Sequence, residues 1–283
     1  MMVLASAQDE PAGLAVDGTS VYWSNASRGT VMKVPTGGGP STQLASGQAN
    51  PSSIAVDAAN VYWANFNTGT VMKVPLAGGS PVAIASGQAG PAGIAIDVTN
   101  VYWANGNGSS VASTDKFGGM VTTIASGMSA IAVATDGINV YWGNKSANPT
   151  VDKTPVAGGP TTVLAMGQSL PWGITVDATS VYWVNYVSAG TVMQAPLTGG
   201  PATTLASGQN FPVAIAVDAT SAYWTTRTTV MKTPIGGGAP VTLASGQSGP
   251  VKVVVDATSV YWTNGDALAN NFADGSVVKL TPK

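Results

Sequence analysis

One phrase is written seven times along this chain: an apolar run ending in Asp, a Tyr-Trp pair five residues later, a polar residue (usually Asn) two positions after the Trp, a tight turn, a Val-Met-Lys-like segment and, in the first six copies, a Gly-Gly turn. The pairs are Tyr22-Trp23, Tyr62-Trp63, Tyr102-Trp103, Tyr141-Trp142, Tyr182-Trp183, Tyr223-Trp224 and Tyr261-Trp262, and successive Trp residues are 40, 40, 39, 41, 41 and 38 apart. A period near 40 is too short for an independent core and suits a unit of four strands that buries its faces only against its neighbours.

The period-2 pattern and the turn residues resolve those strands, as the second copy shows: A at Ser53–Asp57, B at Asn60–Ala64, C at Thr70–Val74 and D at Pro81–Ala85. Strand B carries consecutive large apolar residues because alternate side chains point to opposite faces and both faces are covered. Tyr is expected to fill one layer between units and Trp the next. A D-like strand also stands at the start, over Val3–Ser6, whereas the last copy has A, B and C through Gly275–Leu280 and then stops. The N-terminal strand should therefore complete the last unit. The expectation is an all-β, seven-bladed β-propeller of four-stranded antiparallel blades, one domain over residues 1–283, with one-plus-three closure that leaves no unpaired inner edge.

The Val-Tyr-Trp-x-Asn element preceded by Ile-Ala-Val-Asp resembles the Tyr-Trp-Thr-Asp (YWTD) repeats of low-density-lipoprotein-receptor-type propellers and, more loosely, NHL-type propellers. The likeness covers essentially the whole chain. It departs where Asn25, Asn65, Asn105, Asn144, Asn185 and Asn264, with Thr226 in the sixth copy, replace the final Asp, and in having seven blades where the receptor type has six. The resemblance implies the architecture and carries little weight for function. A WD40 reading lacks its Gly-His element, since the chain has no His.

Only 8% of residues are charged, the net charge is −2, and the eleven basic residues are dispersed, so there is no footprint for a nucleic-acid partner. No apolar run approaches the roughly 18 residues of a spanning helix, so membrane insertion is not expected. With no Cys there is neither disulfide nor thiolate site. The opening Met1–Gln8 lacks the charged and apolar regions of a signal peptide and matches the repeated Leu44-Ala45-Ser46-Gly47-Gln48 phrase. We expect a soluble monomer that works outside the cytoplasm, secreted, periplasmic or on a cell surface.

Without His or Cys, imidazole acid–base chemistry and the Ser-His-Asp and Cys-His machineries are absent. Virginiamycin-B-lyase-like seven-bladed propellers are the enzyme family to weigh, and by resemblance they would need a catalytic His and bound magnesium; this chain has no such His. Asp9 and Glu10, the only Glu, are adjacent in one loop and poorly placed to flank a glycosidic bond. No catalytic residue, cofactor or resident metal is therefore assigned.

Seven of the thirteen acidic residues are the repeated Asp17, Asp57, Asp97, Asp136, Asp177, Asp218 and Asp256. A ring of metal-binding carboxylates would need oxygens converging on one point, whereas one Asp per blade at the A–B turn suits a side chain accepting backbone N–H groups. Gln8, Gln48, Gln88, Gln168, Gln209 and Gln247 recur after strand D, with Met128 in the fourth copy, and read either as hydrogen bonders between blades or as a repeated ligand contact. Gly37-Gly38-Gly39 and Gly236-Gly237-Gly238 lie between strands C and D without a following helix, and so are turns, not phosphate loops. The insertion Asn264–Gly275 contains Asp266, Asn270, Asn271 and Asp274, oxygen donors for calcium, but without the spacing of a known loop.

Departures from the repeat concentrate in the D–A and B–C loops, which share one rim of a propeller and commonly bind ligands. These are Asp9-Glu10, Asn50, Leu170 with Trp172, Asn210-Phe211 and Lys252, and then Arg28, Phe66, Lys145, Tyr186 and Arg227. Trp172 is the one Trp outside the motif. Leu170, Trp172, Tyr186, Asn210 and Phe211 belong to blade five or the entry to blade six, and form the candidate ligand site: an apolar and aromatic patch for sugar faces or peptide side chains, with amides nearby for directional bonds. The expected partner is a glycan or a protein. A spacer role, with these aromatics plugging the channel mouth, and a lectin with equal pockets between blades remain alternatives. Asn25-Ala26-Ser27, Asn107-Gly108-Ser109 and Asn144-Lys145-Ser146 read as glycosylation acceptors in exposed loops.

Overall fold

The computed structural model describes residues 1–265 and 274–283. It is a ring of seven four-stranded antiparallel sheets, each running from an inner strand A to an outer strand D. Blade two shows the plan: Pro51–Val56 inside, then Asn60–Asn65, Thr70–Pro75 and Val82–Ala85. Strand A starts two residues earlier than its apolar run suggests because Pro51 opens it opposite Asn65 across a bulge. A proline is tolerated there because the inner strand is an edge and needs no N–H at its first residue. It ends before Asp57, whose N–H turns back to the carbonyl of Asn60.

Blade seven consists of Pro250–Val255, Val260–Asn264 and Gly275–Leu280, and Met2–Gln8 is its outer strand, paired from Met2 opposite Lys279 to Gln8 opposite Gly275 across two register shifts. The one-plus-three closure holds, with a longer closing strand than Val3–Ser6.

The core lies between blades, in seven separate layers. Each joins the Tyr of one blade to the Trp of the next: Tyr22 with Trp63, Tyr62 with Trp103, and so on to Tyr261 with Trp23. All seven Tyr and seven Trp are at most 1% exposed. Burying an aromatic side chain of 150–250 Å² contributes about 4–6 kcal/mol as an upper bound, so these pairs dominate cohesion.

Two repeated polar pins add to this, one within each blade and one between blades, the latter absent where Met128 replaces Gln. On one rim, each repeated Asp takes two backbone N–H groups on Oδ1 and its Tyr hydroxyl on Oδ2, as in Asp17 with Thr19, Ser20 and Tyr22 at 2.7, 2.7 and 2.8 Å. The carboxylates are thus occupied in turns. Burial and the carboxylate push the Tyr22 hydroxyl up to about 12. At Asp57 burial acts upward but is outweighed by the Lys116 ammonium at 2.7 Å, two backbone N–H groups and Tyr62, bringing the carboxyl down to about 2. On the opposite rim, Gln48 Oε1 accepts from Trp63 Nε1 and Asn65 Nδ2, both at 2.9 Å. Because Gln48 follows the outer strand of blade one, the recurrent Gln residues are bonds between blades.

Candidate functional site

The rim that carries the variable residues is itself built by backbone hydrogen bonds. The first B–C residue of a blade donates its N–H to the D–A loop: Phe66 to Asn50 at 3.0 Å, Gly106 to Gly90 at 2.9 Å, Tyr186 to Leu170 at 3.0 Å. The two loops therefore share one face, as the departures required. The D–A residue before the proline adopts a left-handed backbone, with φ of 62° at Gly90 and 63° at Gly249, where glycine is at ease. Leu170 and Phe211 hold the same conformation at 62° and 49°. Glu10 and Asn50 share it at 55° and 58°, so the conformation belongs to the repeat, and for the bulky Leu170 and Phe211 it costs about 1–2 kcal/mol each.

Those two residues flank a continuous ladder. Trp172 and Tyr186 have ring centroids 4.9 Å apart at 30°, and Tyr186 and Phe211 are 5.2 Å apart at 57°. Lys145 Nζ stands 4.7 Å above the Trp172 ring and the Arg227 guanidinium 4.2 Å above Phe211. A cation thus caps each end, and the run crosses blades four, five and six. All three rings are half-buried, each covered in part by its neighbours. Trp172 also packs on the layer of Tyr182 and Trp224. Asn210 is exposed beside Phe211, and its carbonyl accepts the Arg227 N–H at 3.3 Å. Leu170, half-buried, meets Tyr186 through the backbone bond already described. Burial holds the Lys145 ammonium below the usual lysine range.

Trp172 does not sit in the D–A loop; it is the second residue of strand Pro171–Val176, held at the rim by the bulge after Pro171. Lys145 and Arg227 were legible as departures but not as part of the site. They, Tyr186 and Phe66 occupy the same position, directly after the motif's Asn or Thr, so the consecutive blades four to six carry Lys, Tyr and Arg in register.

None of the three aromatics is among the residues that line the channel cavity. A central cavity of about 200 Å³ is lined instead by residues at the inner strands, among them Leu14, Ser53, Gly93, Ala132, Gly173, Ala214 and Lys252. Lys252 thus belongs to the channel and not to the loop rim, and burial holds its ammonium below the usual range. Elsewhere on the rim, Asp9 is paired with Arg28, and Glu10 Oε2 accepts from Ser27 at 2.6 Å. Asn25 is 2% exposed and its amide is bound to Gln8 and Thr30, so it is no glycosylation acceptor; Asn107 is exposed. Of the calcium-donor set, Asp266, Asn270 and Asn271 lie outside the described residues. No three acidic, His or Cys side chains gather among the described residues, nor is any helix long and apolar enough to cross a membrane.

The fold and rim define a seven-bladed β-propeller with one asymmetric aromatic face. No family model and no curated protein matches the sequence, so membership of the YWTD or NHL families is not confirmed. Solved structures do match. Virginiamycin B lyase from Staphylococcus aureus aligns over 100% of this chain and 98% of its own at a TM-score of 0.82 and 13% identity. A chain of the nidogen/laminin complex aligns over 80% and 90% at 0.64 and 20% identity. Hydrazine synthase from Kuenenia stuttgartiensis aligns over 97% and 96% at 0.77 and 16% identity. At such identities the likeness is one of fold.

Proposed function

We propose that this propeller is a non-catalytic recognition module whose D–A/B–C rim binds a glycan or a protein. The observation that carries the reading is the ladder of Trp172, Tyr186 and Phe211, assembled from the inner strand of blade five, its B–C loop and the loop that enters blade six. Interblade cohesion does not need it, because the Tyr-Trp layers and the Asp and Gln pins recur in blades that lack the aromatics. Stacked rings present a flat apolar strip to sugar faces, and exposed Asn210 supplies an amide at its edge. A lyase alignment does not transfer chemistry to a chain without His. A protein ligand is the second reading, favoured by the propeller of the nidogen/laminin complex.

A glycan array probed with the wild-type protein and Trp172→Ala tests this. Binding lost in a folded variant supports the rim, since removing one stacking ring typically costs more than tenfold in affinity. Binding retained moves the site elsewhere. No glycan signal from folded wild type turns the search to protein partners.

A further inference from the structure

The cations of this chain are unevenly committed. Lys33, Lys73, Lys153 and Lys279 donate to carbonyls of the following blade, to Leu76, Lys116, Leu197 and Thr36. Lys116 and Lys283 bind Asp57 and Asp218 at 2.7 Å, and Arg28 binds Asp9. Four make no such bond among the described residues: Lys232 lies over Tyr223 and Lys252 lines the channel, which leaves Lys145 and Arg227 on the rim. Among the described residues neither has a carboxylate partner, and both lie against the end rings of the ladder. The described acids of this rim, Asp9, Glu10 and Asp274, stand at the seam between blades seven and one and are already engaged. The aromatic strip therefore lies in a positive field at both ends, in a chain whose net charge is −2.

From this we infer that the rim selects an acidic glycan, one whose sugar faces stack on Trp172, Tyr186 and Phe211 while its carboxylates meet Lys145 and Arg227. The inference rests on the recognition reading and deepens it. A neutral glycan would gain the stacking and leave both cations unused. An acidic one adds charge-assisted hydrogen bonds at both ends, and Arg227 offers a planar fork matched to a carboxylate. The partial desolvation of Lys145 favours the same partner, because an anion restores what burial has removed.

The experiment compares polygalacturonate with its methyl-esterified form, the same backbone with its carboxylates capped, by calorimetry on wild type, Lys145→Gln, Arg227→Gln and Trp172→Ala. Both charge changes are at surface side chains, and circular dichroism checks the fold. The free acid should bind about tenfold more tightly than the ester, each charge variant should lose about tenfold on the acid and little on the ester, and 0.5 M salt should weaken the acid alone. Equal binding of acid and ester, abolished by Trp172→Ala and untouched by the charge variants, overturns the inference and leaves the rim reading standing. Binding of neither polymer overturns the inference and leaves the recognition reading to the glycan array.

Discussion

Replacing Gln48 by Met tests whether the repeated Gln is structural. In the native chain its Oε1 accepts from Trp63 Nε1 and Asn65 Nδ2, both at 2.9 Å, and Trp63 is fully buried. Asn65 keeps a second acceptor in Thr70 at 3.1 Å, but the indole N–H has none. The cost is therefore that of one orphaned buried donor, about 2 kcal/mol. At roughly 2 °C per kcal/mol for a chain of this size, Tm should fall by about 4 °C. Gln209→Met is the internal control: Thr226 stands where other blades have Asn, so only Trp224 Nε1, at 2.9 Å, is released and the loss should be no larger. Thermal melts followed by tryptophan fluorescence, with urea titrations for the free energy, measure both. If Gln48→Met changes stability by less than about 0.5 kcal/mol, the pins are not what holds the interfaces, and a loss of ligand affinity in the same variant would make the Gln residues contacts instead.

Leu170→Gly should leave Tm within about 2 °C although it deletes a four-carbon side chain, because relief of the left-handed strain at φ 62° offsets lost packing, while rim binding falls; melts and calorimetry read the two effects separately. Lys252→Ser, which installs the residue of the equivalent Ser53, should raise Tm by about 2 °C at pH 7 by removing a desolvated ammonium. The sign with pH follows. A lysine whose folded pKa is depressed opposes folding while charged, so the wild type should gain on the variant as pH rises through that folded pKa towards the unfolded lysine range, and a gap that widens with pH refutes the assignment.

What the sequence made legible is what repetition dictates. The Asp turns, the interblade Tyr-Trp layers and the closing strand each follow from residues within one period, where local spacing decides the geometry. Trp172 and Lys252 were placed a few residues wrongly because the inner strand begins at its proline, ahead of the apolar run, and this carries Trp172 and Lys252 into the strand. The cationic caps were harder to see. Lys145 and Trp172, like Phe211 and Arg227, meet across loops, and nothing in the alternation of one strand states which side chain of the next blade it will touch. The sequon at Asn25 failed for the opposite reason: the motif Asn is a strand residue committed to the Gln pin, so its triplet is accidental.

Blade four shows how a departure from the template serves the rim. Met128 takes the place of Gln, and Trp142 Nε1 is left without a partner. Asn144 no longer has a Gln to bind. Its Oδ1 instead accepts the N–H groups of Ser129 and Ser146, each at 3.2 Å, fastening both sides of the loop that presents Lys145. Where the other blades have Met, Ala or Val, Asp152 is 4% exposed; burial raises its carboxyl above the usual range, against the hydrogen bonds of Thr150 and Asn144. Each of these changes alone is unfavourable, through a buried donor unpaired and a buried carboxylate. Together they redirect one Asn from holding the interface to holding the loop, and the loop they hold supplies one end of the ladder. A stability defect confined to the blade that carries Lys145 is therefore expected of a ring whose interfaces are over-determined by repetition and whose rim is not.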